Sequence, residues 1–456
     1  MKIVIIWLYL ILAFSTSLTL NNTITGNFWD IQSVSQDCLV VIDTTTTNYL
    51  LTAEQQRKQV DRLKRITFRP WHQLKADNST PQIQAIFSSY KASPGYGENK
   101  LKNEVSWVKK LEKNANLSTY PNLNKKAIAL RYTSLRLLPT SKPVYGDFSL
   151  PGEGYPFDNL QNSGIAVNTP LYLSHISRDG AWVLAETSYA LGWIPISDVA
   201  FVDNGFIENW EKSSFITPLR DDLTILDNAG FYRYTANIGS LIPLANNRLF
   251  IISDLVDLFF PKNEKEPYAI NIVIPDTNHI ATIAQGKVFI DEVSNFPHPA
   301  SLHNMAKLAN NLLGQKYGWG DLFDNRDCAS SLKDMFASIG LWLPRNGNDQ
   351  AKTSGQYISL AGLTPTDKEK IILEKGKPFM SLLWFKGHIM LYIGKTPDNK
   401  ALILHNIWGL RTLDENKKEG RYLIGKTIIS TLEPGKDALI LQSTLLERLQ
   451  GLTLLP

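Results

Sequence analysis

Cysteine is scarce in this chain: only Cys38 and Cys328 occur among its 456 residues. No Cys-x-x-Cys or His-Glu-x-x-His spacing is present, and the seven histidines are scattered rather than grouped as metal ligands. No glycine-rich phosphate loop occurs either. The sequence therefore predicts no metal site, no nucleotide site and no cofactor.

Strong charge and long apolar runs are also missing. The formal net charge is +4, which is too weak to predict a nucleic acid partner, although a mildly basic surface suits an anionic polymer. The one long apolar run, residues 3–14, follows Lys2 and is shorter than the ~20 residues of a membrane span. Its layout predicts a signal peptide over residues 1–20, with an uncleaved N-terminal anchor as the alternative. We therefore expect an exported protein of the periplasm or cell envelope without a stable membrane span.

Cys328 lies where a polar loop gives way to an amphipathic helix. Apolar residues follow at helical spacing, and Gly340 predicts the end of the helix: Leu332, Met335, Phe336 and Ile339. A thiol in the first helical turn faces unpaired N–H groups and the positive end of the dipole, which lowers its pKa. A lone cysteine is more often an inert buried residue, and this remains our interpretation of Cys38.

Two histidines flank a predicted hairpin. One strand begins at His388 and the next ends at His405, with a turn at residues 396–400 between them. If the hairpin folds near Pro397, the two histidines lie opposite each other across the strands. One imidazole could then act as a base toward Cys328 while the other orients it. The alternative is two unrelated histidines at strand ends.

The order and flanks of these residues resemble the catalytic domain of the NlpC/P60 family of papain-like cysteine peptidases. The resemblance runs through the segments at 313–320, 327–328, 340–345, 387–388 and 404–406. It implies that Cys328 is the nucleophile, His388 the base and His405 the orienting residue. It also implies that Tyr317 stands beside the nucleophile and that Asp327 helps to bind the free amino group of a substrate peptide. Many relatives carry serine after the cysteine where this chain has Ala329, so a substrate contact from that side chain is either missing or taken over by Ser330.

Length and pattern predict an α+β chain of several domains. We expect a papain-like NlpC/P60 catalytic domain at 288–456, preceded by two small SH3-like β-barrels at 125–205 and 206–287 and by a mainly helical segment at 21–124. In multidomain relatives such a segment clips the other domains together; an independent helical domain is the alternative.

The first barrel is predicted from five short strands separated by turn residues between 127 and 195. A polar and aromatic loop at 152–158 interrupts them. In relatives of this architecture the first barrel leans over the catalytic cleft and blocks it, so that only a peptide with a free amino end fits. Candidates for that wall are Tyr155, Asp158, Glu186 and Tyr189. The second barrel has a weaker signature, with strands expected at 231–234, 249–252 and 268–274 and an exposed insertion at 261–267.

The function that follows is hydrolysis of peptidoglycan stem peptides or muropeptides. The resemblance implies cleavage of the bond between γ-D-glutamate and a diamino acid such as diaminopimelate, in peptides with a free N-terminal L-Ala, by a monomer. Two alternatives stay open. The same triad could run amidase or transpeptidase chemistry, or the chain could be a wall-binding protein with a degenerate site.

Overall fold

The computed structural model describes residues 34–42, 48–245, 267–437 and 439–456. The α-helices of these residues are α1 Cys38–Val41, α2 Ala53–His72, α3 Thr80–Ala92, α4 Val105–Ala115, α5 Asn204–Glu211, α6 Leu302–Leu312, α7 Cys328–Ser338, α8 Gly347–Thr353, α9 Pro365–Lys375 and α10 Leu445–Arg448. Within the described ranges, no helix combines the length and apolar character needed to cross a bilayer. The predicted signal peptide and the predicted strand at 249–252 lie outside the described residues, as does nearly all of the insertion at 261–267.

The strands fall into four sheets. They are β1 Lys125–Ala129, β2 Thr133–Arg136, β3 Gln161–Ile165, β4 Pro170–Ile176, β5 Trp182–Glu186, β6 Leu191–Pro195, β7 Val199–Phe201, β8 Phe215–Pro218, β9 Leu223–Asp227, β10 Tyr232–Ala236, β11 Ile242–Pro243, β12 Pro267–Pro275, β13 Ala281–Phe289, β14 Val293–Asn295, β15 Gln356–Ser359, β16 Ser381–Phe385, β17 His388–Lys395, β18 Ala401–Leu413, β19 Glu419–Ser430 and β20 Gly451–Leu454.

Helix α2 contacts the other units of the molecule. Thr52 and Gln55 form a capping box at its start, which satisfies the free N–H groups there. Gln56 donates to the carbonyl oxygens of His298 and Ile339 at 2.7 and 3.0 Å. Near the other end, the indole N–H of Trp71 donates to Ala127 of β1 at 2.7 Å. This helix therefore bridges the first sheet and the C-terminal region.

The first strand-rich unit is an open sheet. Its seven strands run in the order β3-β2-β6-β5-β4-β1-β7, and no ladder joins β3 to β7 among the described strands. The predicted closed five-stranded barrel was therefore wrong in both strand number and closure. The prediction missed β3 because Gln161–Ile165 carries polar residues and a glycine where a strand signature needs β-branched or aromatic ones.

The second unit divides its strands between two sheets. One has the order β10-β9-β13-β12 and the other β11-β8-β14, so this unit is not a closed barrel either. Strand β14 pairs with β8, which carries the unit past the predicted boundary at residue 287. Apolar side chains of both sheets share one core, which includes Ile216, Ile225 and Ile270.

The C-terminal region combines a six-stranded sheet, β15-β20-β16-β17-β18-β19, with helices on both faces: α6 and α7 on one, and α9 and α10 on the other. Helices α6 and α7 place Met305, Leu308 and Phe336 in a core with Leu391 and Leu404 of the sheet. The predicted helices at 301–313 and after Cys328 are confirmed, and Gly340 has the left-handed φ of +85° expected at a helix end. This packing brings the start of α7, at Cys328, close to the start of β17, at His388.

Candidate active site

Cys328 is the first residue of α7, as predicted. Its side chain is only partly buried and lines an open cleft of about 790 Å³ together with His388. The backbone N–H groups of Ile389 and Ala329 face the thiol and favour its charged form. Among the residues that the structure describes, none accepts a hydrogen bond from the backbone N–H of Cys328 itself.

The pKa of Cys328 does not fall in the resting protein. Burial first, and then the neighbouring charge of Asp327, raise the pKa of this thiol to about 12, against the smaller effects of the N–H groups and Arg345. The predicted lowering by the helix terminus was therefore wrong, because desolvation of the thiolate outweighs it. Burial and the cation of Arg448 lower the pKa of His388 to about 3. The directions of these two pKa shifts favour a neutral thiol beside a neutral imidazole in the resting protein.

The two histidines are in contact: His388 Nε2 lies 2.9 Å from His405 Nδ1. Their predicted pairing was displaced, because Leu391 pairs with Leu404 and the register shifts again between Tyr392 and Gly394. The contact is therefore diagonal rather than directly across the strands. Both imidazoles are at least nine-tenths buried, and burial also lowers the pKa of His405 well below its usual range.

The hydroxyl of Ser430 determines which imidazole nitrogens carry protons. Ser430 Oγ lies 2.7 Å from the carbonyl oxygen of Thr431, which can only accept, so the hydroxyl donates there. It must then accept from His405 Nε2 at 3.1 Å. His405 Nδ1 is left to accept from His388 Nε2, and His388 Nδ1 remains unprotonated. The chain of hydrogen bonds thus presents the base form of His388.

Asp327 caps α7 and is paired with Arg345. One of its oxygens accepts from the backbone N–H groups of Ala329 and Ser330 at 3.0 and 2.9 Å, and Arg345 Nη2 lies 2.8 Å from the other. Burial raises the pKa of this carboxyl, but Arg345 and the bonds from Ser330 together lower it to below its usual value. The Ser330 hydroxyl completes the capping box, is buried and does not line the cleft.

Tyr317 lies in the cleft with Cys328 and Asp327, where the resemblance predicted it. Burial and the nearby Cys328 and Asp327 raise the pKa of its phenol well above the usual value, so it stays a neutral donor. Its ring packs against Trp408 at a centroid distance of 6.1 Å, and the ring of Phe157 also packs against Trp408, at 5.7 Å.

The first sheet forms a wall of the cleft, but mostly through residues that the sequence did not indicate. The wall residues are Leu137, Asn159, Gln161, Asn162, Tyr189 and Ala190. Of the four candidates, only Tyr189 is among them. Tyr155 is 60% exposed away from the cleft, and Asp158 is buried in an ion pair with Arg136 at 2.6 Å. Glu186 is buried and accepts from the backbone N–H of Asp77 at 3.0 Å.

Buried polar contacts hold this wall against the catalytic region. Gln161 donates to the carbonyl oxygen of Gly320 at 2.9 Å, and the backbone N–H of Gly164 donates to Asp321 at 3.2 Å. Arg345 Nε donates to Ser163 Oγ at 2.8 Å while its other nitrogens bind Asp327. The alternation of Gln161 and Ser163 along β3 was the one sequence signal that could have indicated this face.

This arrangement defines a class of protein: an α+β chain in which a cysteine at a helix start shares a cleft with a histidine pair on a sheet, under the wall of a second unit. Family models agree. The N-terminal stabilising domain of NLPC_P60 proteins matches residues 5–120, an SH3 domain of SH3b1 type matches 143–195 and an SH3 domain of SH3b2 type matches 203–247.

A solved structure extends the likeness to nearly the whole chain. An NlpC/P60 endopeptidase from Photobacterium damselae subsp. piscicida is 26% identical, with a TM-score of 0.81 over 92% of this chain and 97% of that one. An NlpC/P60 family protein from Bacillus cereus ATCC 10987 is 14% identical over 73% of this chain and 100% of that one, with a TM-score of 0.45. No curated sequence matches this chain. The predicted resemblance is confirmed: the chain carries an NLPC_P60 N-terminal stabilising domain and two SH3b domains, and its fold is similar to that of an NlpC/P60 endopeptidase.

Proposed function

We propose that this protein is an exported cysteine endopeptidase that hydrolyses peptidoglycan stem peptides, at the bond between γ-D-glutamate and a diamino acid such as diaminopimelate. The observation that carries the chemistry is the shared cleft of Cys328 and His388, with His388 held in its base form by His405 and Ser430. The family resemblance supports the bond and the substrate class. SH3b domains support a place in the cell envelope, and we expect a monomer.

The reaction starts from the neutral pair. His388 Nδ1 takes the thiol proton as Cys328 Sγ attacks the scissile carbonyl, so the thiolate forms only as its charge passes to the substrate oxygen. The free N–H of Cys328 is placed to stabilise that oxyanion. The imidazolium then protonates the leaving amine, and the acyl group stays on Cys328. Water, deprotonated by His388, releases the acyl group and restores the thiol.

Substrate recognition is proposed at the end of the cleft near the SH3b1 wall. Residues of the wall line the cleft there, and we expect them to limit the room beyond the substrate's amino end, which favours a peptide with a short, free amino terminus. Arg345 already neutralises Asp327, so we expect Asp327 to attract an ammonium group more weakly than a free carboxylate does. The amide oxygens of the exposed Asn159 and Asn162 add acceptors there, and Tyr317 stands beside the acyl group.

The test is mass spectrometry of L-Ala-γ-D-Glu-diaminopimelate and its N-acetylated form, each incubated with the mature protein and with Cys328→Ala. We expect release of diaminopimelate from the free-amine peptide alone and no release by Cys328→Ala. A new amide in place of the free acid would identify transpeptidation. Cleavage of neither peptide by the folded protein would contradict hydrolysis and favour a wall-binding role.

A further inference from the structure

A second cavity opens beside the catalytic cleft, at the turn between β16 and β17. It measures about 460 Å³, and four cations line it: Lys368, Lys386, Arg411 and Arg448. Among the described residues of its lining, Glu447 is the one carboxylate. We call this cavity the cationic groove. Lys386 and Gln450 line both the groove and the catalytic cleft, so the two cavities meet at this turn.

The charges of the groove are not balanced by the protein. Glu447 uses a carboxylate oxygen to cap α10, where it accepts from the backbone N–H of Thr444 at 2.7 Å. Lys368 is anchored, since its Nζ donates to the carbonyl oxygen of Glu447 at 2.7 Å. In the described part of the chain, no carboxylate forms an ion pair with Lys386, Arg411 or Arg448. Three cations therefore face the groove without an ion pair, and the carboxylate of Glu419 attracts Arg411 only at longer range.

Arg448 is the most constrained of the three. Its guanidinium lies 4.0 Å above the centroid of the Phe385 ring, which fixes it by a cation–π contact at a partly buried position. Burial, Arg411 and Arg421 lower the pKa of Arg448 to about 10. A cation held in place against burial and like charge gains from any anion that enters the groove.

The groove lies on the leaving-group side of the proposed reaction. The Phe385 ring that carries Arg448 also packs against His388, at a centroid distance of 5.6 Å. His388 is the group that would protonate the leaving amine, so that amine departs on the His388 side of the cleft. The SH3b1 wall contributes residues to the cleft and none to the groove. The part of a substrate that extends past His388 would therefore lie over Lys386 and point toward Arg448.

We propose that the cationic groove binds a carboxylate of the amine fragment that leaves, with Arg411 and Arg448 as its ligands and Lys386 at its entrance. This inference rests on the proposed function, because it assigns one side of the scissile bond to the groove. An amine fragment with a free carboxylate, such as a diamino acid, fits these ligands. A fragment whose carboxylate is converted to an amide cannot form the charge-assisted hydrogen bonds with Arg411 and Arg448.

The experiment measures binding without turnover, by calorimetry with full-length Cys328→Ala. The probes are L-Ala-γ-D-Glu-diaminopimelate, its two monoamides at the diaminopimelate carboxylates, and the diamide. We expect the diamide to bind about tenfold more weakly than the parent, because it loses charge-assisted hydrogen bonds. The monoamides identify which carboxylate enters the groove, since only one of the two should weaken binding.

The same ratio is then measured after Arg411→Gln and Arg448→Gln are added. We expect the parent-to-diamide preference to fall toward one in these variants, and to persist after Lys370→Gln, which removes a cation from the exposed side of α9. A preference that survives Arg411→Gln and Arg448→Gln together would overturn the proposal, as would equal binding of parent and diamide from the start.

Failure of the proposed function is distinguishable. If the wild type cleaves the parent and the diamide with equal kcat/KM, the proposed role of the groove is contradicted and the proposed endopeptidase activity is supported. If binding prefers the parent in a groove-dependent way but the wild type cleaves none of the four peptides, carboxylate binding by the groove is supported and the proposed endopeptidase activity is contradicted.

Discussion

At the scale of single residues, Ser430 influences the protonation of both histidines of the pair. Without its hydroxyl, nothing requires His405 to carry the proton on Nε2. His405 could then protonate Nδ1, and His388 would have to present an N–H to Cys328 instead of a lone pair. Sequence patterns could not reveal this role, because Ser430 is a common residue at the end of a strand and is far from the histidines in the chain.

We therefore expect Ser430→Ala to lower kcat about 5- to 10-fold with little change in KM, since one buried hydrogen bond biases the two tautomers by that much. Ser430→Thr keeps a hydroxyl and should restore most of kcat. The control is Ser381→Ala, which removes a buried serine of the same sheet that accepts from a backbone N–H at 2.8 Å. ¹⁵N chemical shifts of the histidine rings report the tautomers, and an unchanged His405 spectrum in Ser430→Ala would contradict this account.

The neutral thiol makes a second prediction at this scale. Burial and Asp327 raise the pKa of Cys328 to about 12, so the thiolate fraction should keep rising through alkaline pH. We expect the rate of alkylation of Cys328 by iodoacetamide to increase about tenfold per pH unit from pH 6 to 9, without a plateau. The Cys328→Ala variant corrects for reaction at Cys38. A plateau near neutral pH would show instead that the resting pair is a thiolate and an imidazolium.

At the scale of elements, the junction between β3 and the start of α7 depends on Arg345. It is 9% exposed, donates to Ser163 of the wall and pairs with Asp327 of the helix cap. Arg345→Met would keep the apolar stem and leave the carboxylates of Asp321 and Asp327 buried without their cation.

We expect Arg345→Met to lower the free energy of unfolding by about 3 to 5 kcal/mol, the usual effect of removing one partner of a buried ion pair. Urea unfolding followed by tryptophan fluorescence measures it. Arg421→Met, which removes a half-buried arginine paired with Glu419 at 2.5 Å near the protein surface, is the comparison and should cost less. Equal losses in the two variants would argue against a special role for the junction.

Elements also show how far the sequence could lead. The helix of Cys328 and the strands of the two histidines were predicted because their patterns are local: apolar spacing and turn residues. The register of the hairpin was not, because the turn is centred on Asp398, with Lys395 paired to Ala401, rather than near Pro397. A bulge between Tyr392 and Gly394 then shifts the ladder by one residue. Gly394 has a φ of +146°, and a Cβ there would lie 2.9 Å from Val41 Cγ1, a contact distant in sequence that no local pattern records.

The cleft wall was also missed because it depends on contacts between segments that are distant in sequence. Its residues are polar or small and lie on β3 and on loops of the SH3b1 unit, and only the docking of that unit gives them a common surface. Asp158 illustrates the opposite error: a carboxylate in a polar loop suggested a ligand, but Arg136 and the backbone N–H of Val144 hold it inside its own domain. Sequence patterns therefore brought the residues of the proposed triad together far better than they indicated the residues that line the cleft beside them.

At the scale of the whole molecule, buried neutral histidines link stability to pH. Burial and Lys307 lower the pKa of His298 to about 4, and burial and Arg448 lower that of His388 to about 3. An unfolded histidine titrates near 6.5. Below that pH the unfolded chain binds protons that the folded chain does not, so stability is complete above about 6.5 and falls as the pH decreases toward these folded values.

His298 offers the cleanest test, because it lies away from the cleft, between α2 and the second unit, with Nδ1 2.9 Å from Ser294 Oγ and its own carbonyl bound by Gln56. We expect the free energy of unfolding of the wild type to fall as the pH decreases from 6.5 to 4.5. In His298→Gln the slope should be smaller than that of the wild type by about 1 kcal/mol per pH unit. Urea unfolding at half-unit pH intervals gives both slopes, and His303→Gln controls for loss of an exposed imidazole. Parallel slopes in the wild type and His298→Gln would mean that His298 does not couple acid to unfolding, and the acid response would then come from other groups, such as the buried His175 and His388.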